Sequence, residues 1–391
     1  MDFSTCKHAE FCGGCAHQGI AYNEQLATKE QEVRELFDSA EIAPVKFDHI
    51  EGCPEEHRYA YRNKMEYTFG DMTKGGPLCL GMHQLGRFMS VVTVDECQIV
   101  DDDFNKILRY TLDFVVDKGY VKYHKRKHQG LLRNLVVRKG ERTGEMLVNI
   151  VTSTQGEFAE DEWTTGLLAL PLKNEIVGVM HTFDDNVADA VKCEELKLLY
   201  GRDYYMEEIF GLKFKVHEFS FFQTNVEAIE RLYSEAIDLI DDFNGKNVFD
   251  LYCGTGTISQ VMALKAAHVL GVEIVEESVA AAKENAEMNH LENCEFVCGD
   301  VFKVLETRLE KPDVIVVDPP RVGMSVEAVE KIAKYGVPQI VYISCNPKTL
   351  VKNLVQFQEC GYEVSYVKPF DNFPMTMHVE TVVLMSRVEG K

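Results

Sequence analysis

Beyond Phe219 the sequence predicts an α/β domain built on a doubly wound, mainly parallel sheet, preceded by a β-rich region and, at the start of the chain, a cysteine-bearing loop. Apolar strand-like runs alternate with helical stretches from Val226 onward, the pattern of a parallel sheet with crossover helices. Short runs of period two, separated by glycine-bearing turns, fill the stretch from about Cys53 to Val216. Cys6, Cys12 and Cys15 crowd one short segment. The expected division is 1–218 and 219–391, which suits a chain of 391 residues, too long for one ordinary core.

The segment Cys6-Lys7-His8-Ala9-Glu10-Phe11-Cys12-Gly13-Gly14-Cys15 comes first, with Cys97 as the expected fourth sulfur donor. Thiolates from a short loop must wrap one centre, and Gly13-Gly14 lets the backbone turn without a Cβ clash. Four such sulfurs suit an iron-sulfur cluster or a structural zinc, and spacing alone does not choose. Tyr22 to Phe37 places Leu26, Val33, Leu36 and Phe37 at helical spacing, so an amphipathic helix is expected that docks on the C-terminal domain.

Strands of the β-rich region are expected at Lys64–Phe69, Arg133–Arg138 and Glu145–Ile150. The same region holds a basic stretch, Lys118, Lys122, Lys125, Arg126, Lys127, Arg133, Arg138, Lys139 and Arg142, interleaved with Tyr120, Tyr123, His124 and His128. Lys plus Arg total 41 against 63 Asp plus Glu, a formal charge of −22, which excludes a protein that coats nucleic acid indiscriminately. A local basic island with aromatics in such a chain points to phosphate contact and base stacking, hence RNA. No run approaches the roughly 20 apolar residues of a membrane span, and Met1–Cys6 lacks the marks of an export signal, so a cytoplasmic protein with reduced thiols is expected.

In the C-terminal domain, strands are expected at Val248–Leu251, Val269–Val272, Glu295–Val297, Asp313–Val317, Gln339–Ile343, Glu363–Val367 and Val379–Met385, with helices at Val226–Ile240, Ser278–Asn289 and Val326–Lys334. After the first strand, Gly254 and Gly256 let the backbone pass close to a ligand. About twenty residues on, Glu273 closes the second strand, where an acid can take both hydroxyls of a ribose. The glycine spacing is not the pyrophosphate fingerprint, so S-adenosylmethionine fits better than a dinucleotide. Asp300 is placed to reach the adenine and Asp318, in Asp318-Pro319-Pro320-Arg321, the reacting centre.

Cys345 ends an apolar run and Glu380 opens another. Gly254, Glu273, Asp300, Asp318 and Cys345 all follow the carboxyl ends of expected parallel strands. If the last strand runs antiparallel, Glu380 joins the same edge and faces the cysteine. A thiol and an acid so disposed can add to an electron-poor ring and then remove a proton from it.

Taken with Tyr61-Arg62-Asn63-Lys64, Ser220-Phe221-Phe222-Gln223-Thr224-Asn225, Asp250-Leu251-Tyr252-Cys253-Gly254, Ser344-Cys345-Asn346-Pro347 and His378-Val379-Glu380, the chain closely resembles the RNA uracil-5-methyltransferase family, in the iron-sulfur branch that methylates 23S ribosomal RNA. The resemblance implies a Rossmann-like, seven-stranded S-adenosylmethionine-dependent methyltransferase domain. It also implies a 4Fe-4S cluster on Cys6, Cys12, Cys15 and Cys97, and an RNA partner rather than DNA or a membrane. Gln223, Tyr252, Glu273, Asp300 and Asp318 would hold the cofactor or the target base, Cys345 would be the nucleophile and Glu380 the base. Two departures stand out: no small β-barrel RNA-binding domain precedes the cysteines, and Thr257 stands where relatives often carry asparagine. Transfer RNA is the alternative substrate. An amino-group methyltransferase would place an aromatic residue where Arg321 stands and would not need Cys345; a non-catalytic RNA sensor would not need Glu273.

Overall fold

The computed structural model describes residues 5–187, 193–307 and 311–388. The first four residues, part of the segment on which the missing export signal was read, lie outside them. The chain divides into two units: Met1–Gly19 with Glu56–Glu208 and Lys215–Phe219, and Ile20–Glu55 with Ile209–Phe214 and Ser220–Lys391. Ile20–Glu55 thus groups with the C-terminal residues, although it precedes the β-rich stretch in the chain.

The first unit holds a seven-stranded sheet in the order Arg87–Thr93, Leu78–Gln84, Lys64–Asp71, Leu132–Lys139, Glu145–Thr152, Glu175–Phe183 and Glu195–Gly201. All pairings are antiparallel except Glu145–Thr152 with Glu175–Phe183, which the helix Glu160–Leu168 links as a crossover. That helix and a second, Asp102–Asp117, interrupt the expected run of strands. The longer one is specified by its buried face of Phe104, Ile107, Leu108, Thr111, Leu112 and Val115, and is capped by Asp101 accepting from the Asp103 amide. Trp163 is fully buried and donates to Thr111 Oγ1 at 3.2 Å.

Every residue of Leu132–Lys139 is buried, which changes the basic island. Arg133 pairs with Asp184, Arg138 donates to the carbonyls of His217 and Glu218, and Lys139 pairs with Asp101 and Glu141. These cations are internal struts. The solvated part of the island is Lys118, Arg126, Lys127 and Arg142, with Lys125 partly covered and its ammonium buried.

The second unit carries an eight-stranded sheet in the order Lys46–Phe47, Tyr362–Phe370, Glu380–Arg387, Gln339–Ser344, Val314–Val317, Asn247–Leu251, His268–Glu273 and Cys294–Cys298. It is parallel throughout except for Glu380–Arg387, which runs antiparallel to both neighbours. The seven expected strands are therefore joined by a short eighth, whose two residues pair with Tyr366 and Val367. Strand order reverses between Asn247–Leu251 and Val314–Val317, the switch point where open α/β sheets bind ligands.

One face of this sheet is closed by Val33 and Phe37 of the helix Tyr22–Ser39, Val329 and Ile332 of Val326–Ala333, and Leu350, Leu354 and Phe357 of Pro347–Glu359. The helix Tyr22–Ser39 buries Gln25, Lys29, Val33 and Phe37, so two polar residues take the stripe where Leu26 was expected; Leu26 and Leu36 are only half-buried. Both polar residues hold the loop that leads to Glu380. Lys29 donates to Asp371 Oδ1 at 2.6 Å, and Gln25 Oε1 accepts from the Met375 amide at 3.0 Å.

Candidate active site

The buried strand Gln339–Ser344 delivers Cys345 to the carboxyl edge of the sheet. Asn346 then caps the helix Pro347–Glu359, accepting from the Lys348 amide at 3.2 Å, and Pro347 fits the first turn because no partner awaits its missing N–H there. The strand Glu380–Arg387 lies alongside, its outermost pair with this neighbour being Ser344 with Thr381. Cys345 and Glu380 each adjoin that last pair, at the same edge of the sheet.

Charge is costly at this edge. Burial, then the negative charge of Asp318, pushes the Glu380 carboxyl up to about 8, with Arg321 pulling it down. The Cys345 thiol is raised to about 11 by burial and by Glu380 and Asp318, against the charge and hydrogen bond of Arg321. Asp318, just past Val314–Val317, is raised to about 7 by burial and Asp250. Tyr233, buried on the helix Val226–Asp238, faces the same group: burial raises its phenol, as do the carboxylates of Asp318, Asp250 and Glu380. Gln223 donates to the Tyr233 hydroxyl at 3.2 Å.

The loop after Asn247–Leu251 is tightly specified. Tyr252, Gly254 and Gly256 all have positive φ, of 72°, 54° and 74°. A Cβ on Gly256 would lie 2.6 Å from Phe296, whereas one on Gly254 would meet nothing within 4 Å. Gly256 is thus required by packing, and Gly254 borders open space. Glu273 ties the loop to the second strand: Oε2 accepts from the Gly254 amide at 3.1 Å, and Oε1 accepts from the amides of Ile274 and Val275 at 2.8 and 3.0 Å. Tyr252, strained in the left-handed region, has its phenol raised by burial and by Asp300 and Glu273, so these three share one neighbourhood. Asp300 Oδ1 accepts from the Lys303 amide at 3.3 Å, at the start of the helix Val301–Thr307.

Two site residues escaped the sequence reading. Asp250 is fully buried and accepts from the Ser259 hydroxyl, its Oδ1 has no hydrogen-bond partner, and burial raises its carboxyl to about 7. An acid inside an apolar strand was the available signal. Tyr233 offered none beyond its place on the buried helix face.

Cys6, Cys12, Cys15 and Cys97 belong to the first unit. Burial raises the Cys15 thiol to about 12, with Cys97, Cys12 and Cys6 adding to it. Cys97 reaches about 11 through burial, with Cys6 and Cys12 adding and backbone amides opposing. Four thiols whose negative charges would repel one another form a donor set suited to a cationic centre. They do not close around one here: among the described residues no three His, Cys, Asp or Glu side chains are grouped to hold a metal ion. The described residues also contain no helix long and apolar enough to cross a membrane.

The tRNA (uracil-5-)-methyltransferase family profile matches residues 21–388. An uncharacterized RNA methyltransferase of Clostridium tetani is 50% identical over 376 residues, covering 96% of this chain and 82% of its own. One from Caldanaerobacter subterraneus is 47% identical, with 98% and 85% covered. Among solved structures, the tRNA (uracil-54, C5)-methyltransferase of Pyrococcus abyssi in complex with S-adenosyl-L-homocysteine superposes with a TM-score of 0.78 at 23% identity, over 96% of this chain and 84% of that one, which establishes the shared fold. The chain belongs to the tRNA (uracil-5-)-methyltransferase family, a family of S-adenosylmethionine-dependent RNA methyltransferases.

Proposed function

We propose that this enzyme transfers a methyl group from S-adenosylmethionine to C5 of a uridine in 23S ribosomal RNA, in the cytoplasm. The observation that supports the proposal is that Cys345 follows Ser344, whose strand partner Thr381 adjoins Glu380, and that the thiol feels the charges of Glu380, Asp318 and Arg321. S-adenosylmethionine, when bound, supplies an electrophilic methyl on a positively charged sulfur.

The chain's own residues do the rest. Gly254 and Gly256 offer a close backbone approach, and Gln223, Tyr252, Glu273, Asp300 and Asp318 hold the cofactor or the base. Uracil C5 is too weak a nucleophile unaided, so Cys345 Sγ, once its proton has passed to water, adds to C6 and the electron pair displaced from the ring double bond enriches C5, which takes the methyl as the methyl–sulfur bond breaks and its electron pair stays on the departing sulfur. Glu380 then removes the C5 proton, the double bond re-forms, and Cys345 leaves as thiolate. The base must be flipped out of its stack to reach these groups. Residues 1–218, with their cysteine loop, serve RNA capture, and 219–391 the chemistry, with the helix Tyr22–Ser39 supporting the latter. Cys6, Cys12, Cys15 and Cys97 would hold a 4Fe-4S cluster that orders the loop; finding zinc without acid-labile sulfide in anaerobically purified protein would overturn this assignment.

Transfer RNA is the second reading, favoured by the family description and by the substrate named for the Pyrococcus abyssi enzyme. Mass-spectrometric mapping of 5-methyluridine in RNA from cells with and without the gene decides. Loss from 23S ribosomal RNA supports the proposal, loss from transfer RNA supports the second reading, and loss from neither refutes both.

A further inference from the structure

The hairpin Leu78–Gln84 to Arg87–Thr93 turns through Leu85-Gly86 and carries an apolar tip that the catalytic proposal does not use. Phe88 is 64% exposed and Leu85 60%, with Met89 beside them. Exposing such a tip to water is unfavourable, yet several contacts hold it in place. His83 stacks on Phe88 with ring centroids 4.7 Å apart and planes at 18°. The cysteine loop braces it from below: Leu85 N–H donates to the Phe11 carbonyl at 2.8 Å, Gly13 N–H to the His83 carbonyl at 3.0 Å, and Cys12 bridges Gln84. A Cβ on Gly13 would itself come within 3.0 Å of that carbonyl, so the loop and hairpin are packed backbone to backbone.

The charge around the tip is positive, in a chain with 22 excess acids. The Lys125 ammonium lies 5.3 Å from the Phe88 ring centroid, Arg126 and Lys127 follow it exposed, and Arg87 adjoins the turn. Arg126 and Lys127 are island cations left at the surface, whereas the Lys125 ammonium is itself buried near the ring. A fixed exposed aromatic with cations at its rim is the equipment for stacking an unpaired base while neutralising its phosphates.

We propose that the tip, with Phe88 as stacking residue and Arg126 and Lys127 as phosphate contacts, binds an unpaired stretch of the RNA substrate. This rests on the RNA reading above and assigns that RNA a second contact away from the reacting base. The test uses the intact protein, as purified with its bound metal, and a 23S ribosomal RNA transcript, followed by fluorescence anisotropy and by methyl transfer. Phe88→Ala is expected to weaken binding about tenfold, the range of a lost base-aromatic stack, raising KM for RNA with kcat unchanged at saturation. Phe88→Tyr should restore binding. Lys127→Ala should lower the salt slope of log Kd by about one. Because Phe88 is exposed, unchanged melting of Phe88→Ala is expected and separates contact from fold. Equal transcript binding by Phe88→Ala and the parent overturns the proposal and gives the tip to a protein partner. A parent enzyme that binds the transcript but never methylates uracil refutes the functional reading instead, and the Phe88→Ala to parent binding ratio still decides this one.

Discussion

Removing the Lys29 ammonium should release the loop that presents Glu380. Lys29 and Asp371 are both fully buried and 2.6 Å apart. Asp371 also accepts from the Tyr22 hydroxyl at 2.8 Å and the Phe373 amide at 3.2 Å, while Lys29 donates to the Phe373 carbonyl at 3.2 Å. Burial lowers the Lys29 pKa, and the Asp371 charge opposes that shift, so the cation is retained by its partner. Lys29→Ala leaves a carboxylate with two neutral donors and no countercharge, at a cost of about 3–5 kcal/mol. The assay is native-state hydrogen exchange at the amides of Phe373 and Met375, which Asp371 and Gln25 hold. Their opening free energy should fall by that amount, and kcat should fall further than cofactor affinity, because Glu380 starts its strand five residues beyond Met375. The double variant Lys29→Met, Asp371→Leu should recover most of the loss, since an apolar pair of similar volume buries no charge. A loss below about 1 kcal/mol in Lys29→Ala would show that the pair holds nothing.

Cys345→Ala should lower methyl transfer at least about 10⁴-fold and leave the calorimetric affinity for S-adenosylmethionine unchanged; full turnover would exclude the covalent route. Glu380→Gln should accumulate a protein-RNA adduct that survives denaturing electrophoresis, and its absence under turnover would remove Glu380 as the base. The same variant should change the pH dependence of stability. The Glu380 carboxyl sits at about 8 when folded against a reference of 4.5, so its contribution is complete below pH 4.5 and is lost as pH rises through 8. The melting temperature of Glu380→Gln should therefore exceed the parent's by a margin that widens from pH 5 to pH 9, reflecting up to about 5 kcal/mol; a constant margin would contradict the burial of that carboxyl.

Much of the second unit was legible because its signals are local. The strand Gln339–Ser344 is an uninterrupted apolar run, and the Gly254-Gly256 turn announces a close approach. The antiparallel last strand followed from asking where Glu380 must stand to join the other acids. What stayed hidden depends on partners far away in the chain. Lys29 reads as a solvated lysine on a helix until Asp371, 342 residues later, is seen to meet it. Arg133, Arg138 and Lys139 read as a basic face, because a central strand covered on both sides looks no different in sequence from one covered on one side. The strand Lys46–Phe47 is too short to carry any period at all.

The raised pKa values at Cys345, Glu380 and Asp318 share one physical cause, and together they describe a resting site that refuses negative charge. At neutral pH the thiol is protonated and the Glu380 carboxyl largely so; Arg321 is the cation that opposes both shifts. A unit positive charge brought within about 5 Å at an effective dielectric near 20 is worth about 3 kcal/mol, or about two pKa units. That is enough to ionise the carboxyl at pH 7 and to bring the thiol within reach of a modest proton acceptor. On the proposed mechanism such a site would keep the Cys345 thiol unreactive until the cationic cofactor binds. At pH 9, where both carboxyls are ionised, replacing Asp318 or Glu380 by a neutral residue should lower the Cys345 pKa and make the free enzyme more, not less, reactive toward iodoacetamide, even as methyl transfer fails. Slower alkylation in both variants would mean that the carboxylates activate the thiol rather than restrain it, and the charge balance argued for this edge would have the wrong sign.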